Sequence, residues 1–276
     1  MITRPPAVAG MFYPSRPDAL TQQVDDLLER AQSGPVPGTI KGLLAPHAGY
    51  MYSGFTAAHG YKLLRGQSHI TAVLIGPSHR EYFDGVSIYS GDAYQTPLGN
   101  VMIDTSLRDA LAASGHPIIV TSYGHREEHS IEVQLPFLQR VLTDFTILPI
   151  IMGEQRREYV ETLAEALIST CRDRSVVIVA SSDLSHYYPY HIAQELDRIV
   201  QEDVTQFDAR KLLDDIEHER TEACGGGPLA AMLLATQGLG ADRTEILHAC
   251  NSGDVTGDKT GVVGYLSAVS FQSTTA

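Results

Sequence analysis

The chain of 276 residues has no tryptophan and only three cysteines, Cys171, Cys224 and Cys250. A low, odd number of cysteines does not suit a fold held together by disulfides, and it indicates the reducing cytoplasm. The first residues, MITRPPAVAGMFYP, lack the uninterrupted apolar segment of a signal peptide. Apolar runs such as VVIVA are strand-length and fall far short of the roughly 20 residues that cross a membrane. We therefore expect a cytoplasmic protein that does not insert into membranes.

Basic residues are also scarce. Lysine and arginine total 20 while aspartate and glutamate total 33, so the formal net charge is -13. Duplex nucleic acid is bound by cations that neutralise its phosphates, and no cluster of lysine or arginine offsets the acidic balance locally. The same charge disfavours acidic membrane surfaces. The composition therefore predicts neither a nucleic-acid partner nor a membrane partner.

Several motifs of known chemistry are absent. No G-x-S-x-G motif occurs, which argues against an ordinary α/β-hydrolase nucleophile. No P-loop occurs and no G-x-G-x-x-G follows a strand, so the glycines of CGGGP do not indicate a nucleotide site. No C-x-x-C pair suggests a structural zinc. The chemistry of the protein must therefore depend on other residues.

Strand-like segments alternate with helical ones along most of the chain. Most of these strands are continuously apolar, as is typical of strands covered on both faces. The apolar content of 43% is enough for one large core. We predict a single α/β domain over residues 1–276, with a mixed, mainly parallel central sheet and helices on both faces. The predicted strands are IKGLLA, ITAVLIG, FTILPIIM, SVVIVASS, TEILHAC and GVVGYLSAV.

Local signals refine the helices and one hairpin. The segment SRPDALTQQVDDLLERAQSG predicts a helix that is capped by Ser15 and ends at Gly34. A second helix, HSIEVQLPFLQRVL, must contain Pro136 or bend at it. A third, YVETLAEALISTC, carries Cys171 on its apolar stripe, where a core position is expected. Two short strands around TPLG predict a hairpin appended to the sheet.

Three predicted strands end in turns that carry histidine. His47 follows IKGLLA, His79 follows ITAVLIG, and His186 follows SVVIVAS together with Asp183. In open α/β sheets, ligands bind beyond the carboxyl ends of the strands. A single histidine there is more often a structural hydrogen-bonding group. Three at one edge favour a functional site, because histidine is the commonest neutral metal ligand and the usual acid or base near pH 7.

The segment HREEHSIE offers further candidates for this site. It carries His125, His129 and Glu132, and the last two share a face if the segment is helical. An equally good interpretation is a charged helix start, in which Glu127 and Glu128 favour the N-terminal dipole. The sequence leaves both interpretations open.

Cys224 lies just before the glycines and proline that begin another predicted helix. Backbone N–H groups and the helix dipole would lower the pKa of a thiol there and favour the thiolate, which is the form that binds metals. The alternative is a small residue at a tight turn. Cys250 ends a strand and is a weaker candidate, so the choice between the two cysteines depends mainly on the resemblance described next.

Six segments, taken together, resemble the Memo family. They are APHAGYMYSG, GPSHR, YQTPLG, EHSIEVQLPFL, SSDLSHY and CGGGP, which follow the family's order and span nearly the whole chain. The resemblance implies a fold similar to that of the class III extradiol dioxygenases, the LigB type of non-haem iron enzyme.

The resemblance also implies a metal site. The family's metal-binding histidines fall on His47 and His79, and its metal-binding cysteine falls on Cys224. The histidine that resembles the dioxygenases' acid or base falls on His186, with Asp183 beside it. The iron relatives use two histidines and a carboxylate, so a thiolate departs from their pattern and suits copper(I) or zinc as well as iron(II). We expect one metal ion per chain, iron(II) first, with copper or zinc as alternatives.

Four residues are expected around the metal and its ligand. They are His129, Glu132, Arg80 and Tyr50, of which Arg80 would attract a negatively charged group together with protonated histidines.

Three functions are compatible with these residues. The first is a metal-dependent, dioxygenase-like oxidoreductase, in which His186 moves a proton and is oriented by Asp183. An aromatic substrate follows from the resemblance alone. The second is a non-catalytic module that binds a peptide or small molecule in the same cleft. The third is a zinc hydrolase that activates water. Family context also implies an AMMECR1-type protein and a radical SAM protein as partners.

Overall fold

The continuously apolar segments form the centre of a sheet. A computed structural model describes residues 1–274 of the chain. The strands of this structure are β1 (Thr3–Arg4), β2 (Gly38–Ala45), β3 (Thr71–Pro77), β4 (Val86–Tyr89), β5 (Ala93–Thr96), β6 (Gly99–Met102), β7 (Ile118–Thr121), β8 (Thr146–Met152), β9 (Val176–Ser181), β10 (His186–Tyr188), β11 (Arg243–Asn251) and β12 (Val262–Ser273).

Helices connect most of the strands. They are α1 (Pro17–Arg30), α2 (Tyr50–Lys62), α3 (Thr105–Ala112), α4 (Leu135–Val141), α5 (Arg157–Cys171), α6 (Tyr190–Thr205), α7 (Ala209–Glu217), α8 (Gly226–Gly238) and α9 (Ser252–Thr256), with a 3-10 turn at Glu132–Gln134 before α4.

Within residues 1–274, the large sheet contains nine strands in the order β10-β12-β2-β9-β3-β8-β4-β7, with β11 paired to β12. The central strands β2, β9, β3 and β8 are parallel to one another. Strand β12 runs antiparallel to β2, and β4 runs antiparallel to β8. The predicted α/β fold with a mixed sheet is therefore confirmed, and the parallel pairings form the centre of that sheet.

Helices cover both faces of this sheet because successive strand residues point to opposite sides. Leu43 of β2 belongs to the apolar cluster that includes α1, α2 and α4, whereas its neighbour Leu44 belongs to the cluster that includes α5, α7 and α8. Both leucines are fully buried. Two-sided burial explains why these strands lack the alternation of apolar and polar residues that a half-exposed strand shows.

Two helices start differently from the sequence prediction. Helix α1 begins at Pro17, and the prediction of Ser15 as its N-cap is wrong because Arg16 occupies that position without a side-chain cap. The fixed φ of proline suits the first helical position, which explains the start. The helix also ends at Arg30, before Gly34. Pro136 lies in the first turn of α4, so it begins this helix instead of bending it.

The predicted hairpin is present, but it pairs with a different partner. Strands β5 and β6 form it, and together with β1 they make a separate three-stranded sheet. Thr3 and Arg4 of β1 align with Ala93 and Tyr94 of β5. The Arg4 guanidinium lies 4.8 Å from the centre of the Tyr94 ring. This contact helps to hold the N-terminal strand against the hairpin.

Two simpler predictions can be compared with the fold directly. Cys171 is buried at the end of α5, as predicted from its apolar stripe. Within residues 1–274, no helix has both the length and the apolar character needed to cross a bilayer.

Asp197 of α6 is a buried carboxylic acid where this helix meets β12. The residue is 5% exposed, and Oδ1 accepts a hydrogen bond from the backbone N–H of Ser185 at 3.0 Å. A Cβ atom at Gly264 would come within 2.0 Å of Oδ2, so the carboxyl group needs a glycine beside it. Burial raises the pKa of Asp197 to about 6, although the N–H of Ser185 opposes this shift.

This shift predicts a pH-dependent loss of stability. A folded-state pKa above the unfolded value of about 3.9 means that the folded state binds the proton more tightly. The contribution of the protonated Asp197 to the unfolding free energy is therefore complete at low pH, and it is lost as pH rises from about 4 to about 6. Asp197→Asn stays neutral, so across this window it should gain up to about 3 kcal/mol of unfolding free energy relative to the parent.

Urea unfolding at a series of pH values measures this difference. Asp173→Asn, at an exposed position, is the control and should show no such trend. A parent-to-variant difference that does not change with pH would contradict the prediction.

Candidate functional site

Three adjacent parallel strands deliver polar side chains to one edge of the sheet. Strands β2, β9 and β3 are neighbours, and their carboxyl ends lie together. His47, Asp183 and His79 each lie two residues beyond the end of one of these strands. The rings of His47 and His79 have their centres 5.0 Å apart. The sheet thus brings together residues that are far apart in the sequence.

Cys224 reaches the same point from the loop before α8. Its backbone N–H donates to the carbonyl of Asp183 at 3.2 Å, and its Sγ lies 3.1 Å from Nε2 of His47. The ligand atoms of His47, His79 and Cys224 all lie within 4.8 Å of one another. Cys250 lies elsewhere, with its Sγ 3.1 Å from the hydroxyl of Thr56. The fold therefore brings Cys224, and not Cys250, to the two histidines.

Neighbouring groups determine which nitrogen of the His47 ring carries the proton. Ser181 Oγ lies 2.9 Å from Nδ1 of His47 and donates its only proton to the carbonyl of Ser130 at 2.6 Å. The hydroxyl must therefore accept from His47, which places the ring proton on Nδ1. Nε2 keeps its lone pair on the side of Cys224. A histidine that binds a metal through Nε2 has this tautomer.

Gln134 holds the Ser181 hydroxyl in this orientation. Its Nε2 donates to Ser181 Oγ at 2.8 Å and to the carbonyl of Pro46 at 3.1 Å. Its Oε1 accepts from the Tyr61 hydroxyl at 2.7 Å, which fixes the direction of the amide. Ser181 and Gln134 are both buried, with an exposed fraction of 1% each. The sequence analysis missed both, because neither side chain is of a type that binds metal.

His79 is oriented by a buried carboxylate, Glu128. The two carboxylate oxygens accept from the backbone N–H of His79 at 2.5 Å and from its Nδ1 at 2.9 Å, which leaves Nε2 free. Burial opposes the charged form of Glu128, but the hydrogen bond from His79 and the rings of His79 and His129 outweigh it and lower the pKa to about 2. Glu128 therefore stays charged at neutral pH.

Of the two interpretations that the sequence left open for this segment, the charged helix start at Glu127 and Glu128 is wrong. No helix begins at this point, since residues 125–131 form turns and irregular backbone. The carboxylate instead accepts from His79 and from the N–H groups of His129 and Ser130, each at 2.9 Å. The sequence signal for this residue was a pair of adjacent glutamates beside a histidine. That signal fits glutamates that face a helix dipole and a buried carboxylate that orients a histidine equally well.

His129 forms a third imidazole wall of the site. Its ring centre lies 4.7 Å from that of His79 and 5.3 Å from that of His47. Ligand atoms of His79, Glu128 and His129 also fall within 4.8 Å of one another. Glu128 is already engaged by hydrogen bonds, so this second group supports the first and does not form an independent site. Burial lowers the pKa of His129 to about 4, although Glu128 opposes the shift.

Asp183 and His186 lie on the segment after β9. The carboxylate of Asp183 accepts from the backbone N–H of His47 at 2.7 Å, and burial raises its pKa to about 7. The backbone N–H of His186 donates to Glu222 at 2.7 Å, and burial lowers the pKa of the ring. Within residues 1–274, Asp183 makes no hydrogen bond to His186. Asp183 thus orients the turn that carries His47, and the predicted orientation of His186 by Asp183 is not observed.

The expected acidity of Cys224 is not observed either. Burial raises the pKa of its thiol well above the usual value, and the charge of Asp183 adds to this effect. The backbone N–H of Asp183 donates to Sγ at 3.3 Å and only partly offsets the burial. The prediction of a lowered pKa considered the start of α8 but not the apolar surroundings. A bound cation would supply the positive charge that the thiolate lacks here.

Glu132 does not line the pocket beside His47 and His79. Its carboxylate is fully buried and pairs with Arg4 at 2.5 Å. It also accepts from the hydroxyl of Tyr13 at 2.5 Å and from the N–H groups of Ala7 and Val8 at 2.7 and 3.0 Å. Glu132 therefore clamps the N-terminal segment to the site. The helical face predicted to join Glu132 to His129 is not formed, because the 3-10 turn starts only at Glu132.

Tyr50 and Arg80, the other two residues expected near the metal, lie at different depths. Tyr50 is buried at the start of α2, and its hydroxyl donates to the carbonyl of Val133 at 2.6 Å. Arg80 is exposed next to His79. Neither residue lines the pocket beside His47 and His79.

A pocket of about 430 Å³ lies beside His47, His79 and His129, but Cys224 is not one of its lining residues. Its floor carries the three imidazoles and Asp183, and its walls are largely apolar or aromatic. Sequence reasoning missed the aromatic walls, since an isolated tyrosine in a loop carries no distinctive signal. The lining residues are Met11, Phe12, His47, Ala48, Gly49, Met51, Tyr52, His79, His129, Asp183, His186, Tyr187, Val263 and Tyr265.

The comparison with known families decides to which family this chain belongs. The family model for Memo-like protein matches residues 4–269. The chain belongs to the Memo family. A MEMO1 family protein of Methanosarcina barkeri is 43% identical over 270 residues, covering 96% of this chain and 99% of the relative. One of Methanocaldococcus jannaschii is 39% identical over 282 residues, covering 96% and 98%. The resemblance inferred from the motifs is thereby confirmed.

A solved structure supports the fold of this Memo-family chain. An uncharacterized protein of Escherichia coli K12 superimposes with a TM-score of 0.57 over 83% of this chain and 99% of that chain. The sequence identity is 17%, so the likeness concerns the fold alone.

The donor set of the Memo-family chain fits a transition-metal ion. Nδ1 of His47 is held by Ser181 and Nδ1 of His79 by Glu128, so both rings have Nε2 left to offer. Cys224 adds a sulfur donor within 4.8 Å of both. Two imidazoles and a thiolate suit zinc, copper and iron(II), and such ligands typically have hydrogen-bonded partners of this kind.

The Ser181 contact predicts a defined His47 tautomer. In metal-free protein, nitrogen NMR of the imidazole should show a protonated Nδ1 and an unprotonated Nε2 for His47. Ser181→Ala removes the acceptor, so both tautomers should be populated. The control is Ser270→Ala, another fully buried serine, whose hydroxyl contacts Met232 instead. An unchanged His47 spectrum in Ser181→Ala would show that Ser181 does not set the tautomer.

The Glu132 clamp predicts a large stability effect. Glu132→Gln keeps the shape of the side chain but leaves the buried Arg4 charge without its partner, so the unfolding free energy should fall by about 3 kcal/mol. Urea unfolding measures the change. Asp18→Asn, which breaks an exposed pair with Arg16, is the matched control and should change little. Equal effects of the two substitutions would refute the clamp.

Proposed function

We propose that this Memo-family protein is a metal-dependent oxidoreductase with one metal ion held by His47, His79 and Cys224. The observation that supports the proposal is the convergence of these three donors while the other nitrogen of each imidazole is already engaged by the protein. Such preorganisation lowers the cost of ordering ligands around an ion. Iron(II) and copper are the ions we favour, because both exchange electrons.

The chain's own residues would bind, orient and protonate the reacting molecule. A redox-active ion would supply electron exchange with the substrate or with oxygen. His186 lines the pocket, and its ring is the group available to take up or release a proton there. Asp183 keeps the His47 turn in place through the bond to its N–H. The largely apolar walls would exclude water from the pocket.

Metal content tests this proposal directly. Protein purified without oxygen should contain about one iron or copper ion per chain by elemental analysis. His47→Ala and Cys224→Ser should each weaken binding by more than about tenfold. The matched control is Cys250→Ser, which should keep its metal because Cys250 lies beside Thr56 and away from the two histidines.

The outcomes distinguish the alternative functions. Iron or copper together with oxygen consumption that His186→Ala abolishes would support the oxidoreductase. Stoichiometric zinc without redox turnover would favour the hydrolase. Full metal content in both His47→Ala and Cys224→Ser, or no metal in the reconstituted parent, would overturn the metal site and favour a binding module.

A further inference from the structure

Tyr187 has an unusual backbone conformation beside the pocket. Its φ is 64°, in the left-handed region that bulky side chains rarely adopt. The pairing of β10 with β12 shifts register between His186 and Tyr188, so Tyr187 is the extra residue of a β-bulge. Such bulges redirect a side chain, and strain of this kind persists where the surrounding structure imposes it.

The Tyr187 side chain has no packing role that would account for this strain. The residue is 78% exposed, yet it lines the pocket above the imidazoles. Its ring centre lies 5.8 Å from that of His186, in an edge-on arrangement. Met11 and Met51, which are 73% and 67% exposed, line the same pocket. Three large apolar side chains thus remain in solvent around the entrance.

Other walls of the pocket are aromatic as well. Phe12 packs against His129 with ring centres 4.8 Å apart, and Tyr52 and Tyr265 complete the lining. These rings come from segments that are separate from β10. A pocket of about 430 Å³ has room for a small molecule with a flat body. Apolar side chains exposed around a polar floor are typical of a ligand-binding entrance.

We propose that Tyr187 is a specificity-determining residue of the pocket, which covers the flat apolar body of a bound molecule while the polar end of that molecule reaches the imidazoles. The bulge fixes the backbone that carries the ring at the entrance before the ligand arrives, so little backbone freedom is lost on binding. This inference rests on the proposed function only where the polar end of the bound molecule contacts the metal. The ring contact itself needs no metal.

Two probes of different size test this role on cobalt(II)-loaded protein, where the visible spectrum reports ligand exchange. Azide is too small to reach the entrance, whereas 4-phenylimidazole carries a ring. Tyr187→Asn removes the aromatic ring with a residue that tolerates positive φ. It should weaken 4-phenylimidazole binding by about fivefold or more. Azide affinity should stay within about twofold, and the melting temperature should not fall.

Tyr187→Phe and Tyr188→Ala are the matched variants. The first keeps the ring and should bind 4-phenylimidazole like the parent. The second removes a neighbouring ring that does not line the pocket and should also leave binding unchanged. Unchanged or tighter binding of 4-phenylimidazole by Tyr187→Asn would overturn the proposal, since the ring would then be irrelevant or merely an obstacle.

A metal-free measurement separates this proposal from the proposed function. Failure to bind cobalt(II) would count against the metal site alone. In that case the NMR signals of the tyrosine rings are compared between the metal-free parent and Tyr187→Asn, and the signal that is missing from the variant is assigned to Tyr187. A shift of this signal with millimolar 4-phenylimidazole would support the contact, and no shift would overturn it.

Discussion

The buried ion pair between Arg4 and Glu132 joins the two segments that build one side of the pocket. Glu132 holds the N-terminal segment through Arg4, Tyr13 and two backbone N–H groups. Arg4 in turn donates to the carbonyls of His125 and Glu128. Both charges are almost fully removed from water, so each depends on the other and on these hydrogen bonds. This arrangement ties the segment that carries Phe12 to the segment that carries His129, whose rings pack with their centres 4.8 Å apart.

A second constraint acts on the rings of His47 and His79. The two histidines follow parallel strands, but their rings are oriented by different acceptors, a neutral hydroxyl at His47 and a charged carboxylate at His79. A carboxylate partner makes an imidazole more electron-rich than a hydroxyl does. The two imidazoles are therefore chemically distinct although they belong to the same residue type. Removing Glu128 should affect a bound ion differently from removing Ser181.

Sequence reasoning was most successful where one physical rule dominates. Continuous apolar runs identified the central strands because two-sided burial requires them. The edge of the sheet then located His47, His79 and Asp183, since parallel strands end on the same side. Cys224 was different: its choice over Cys250 came from family resemblance, and only the fold shows the thiol 3.1 Å from His47. Its predicted acidity was wrong, because burial depends on surroundings that no local pattern encodes.

By itself, the sequence determined the α/β architecture, the family and the residue types that meet at the carboxyl edge, because periodicity and motifs are local properties of the chain. Tertiary structure alone decided which partners these residues have. Glu128 orients His79, Gln134 and Ser181 set the His47 proton, and Glu132 clamps a distant segment. Hydrogen bonds between residues far apart in the chain depend on ångström-scale placement. Residue type and spacing do not contain that information, so a buried carboxylate and a solvated one look alike until the chain is folded.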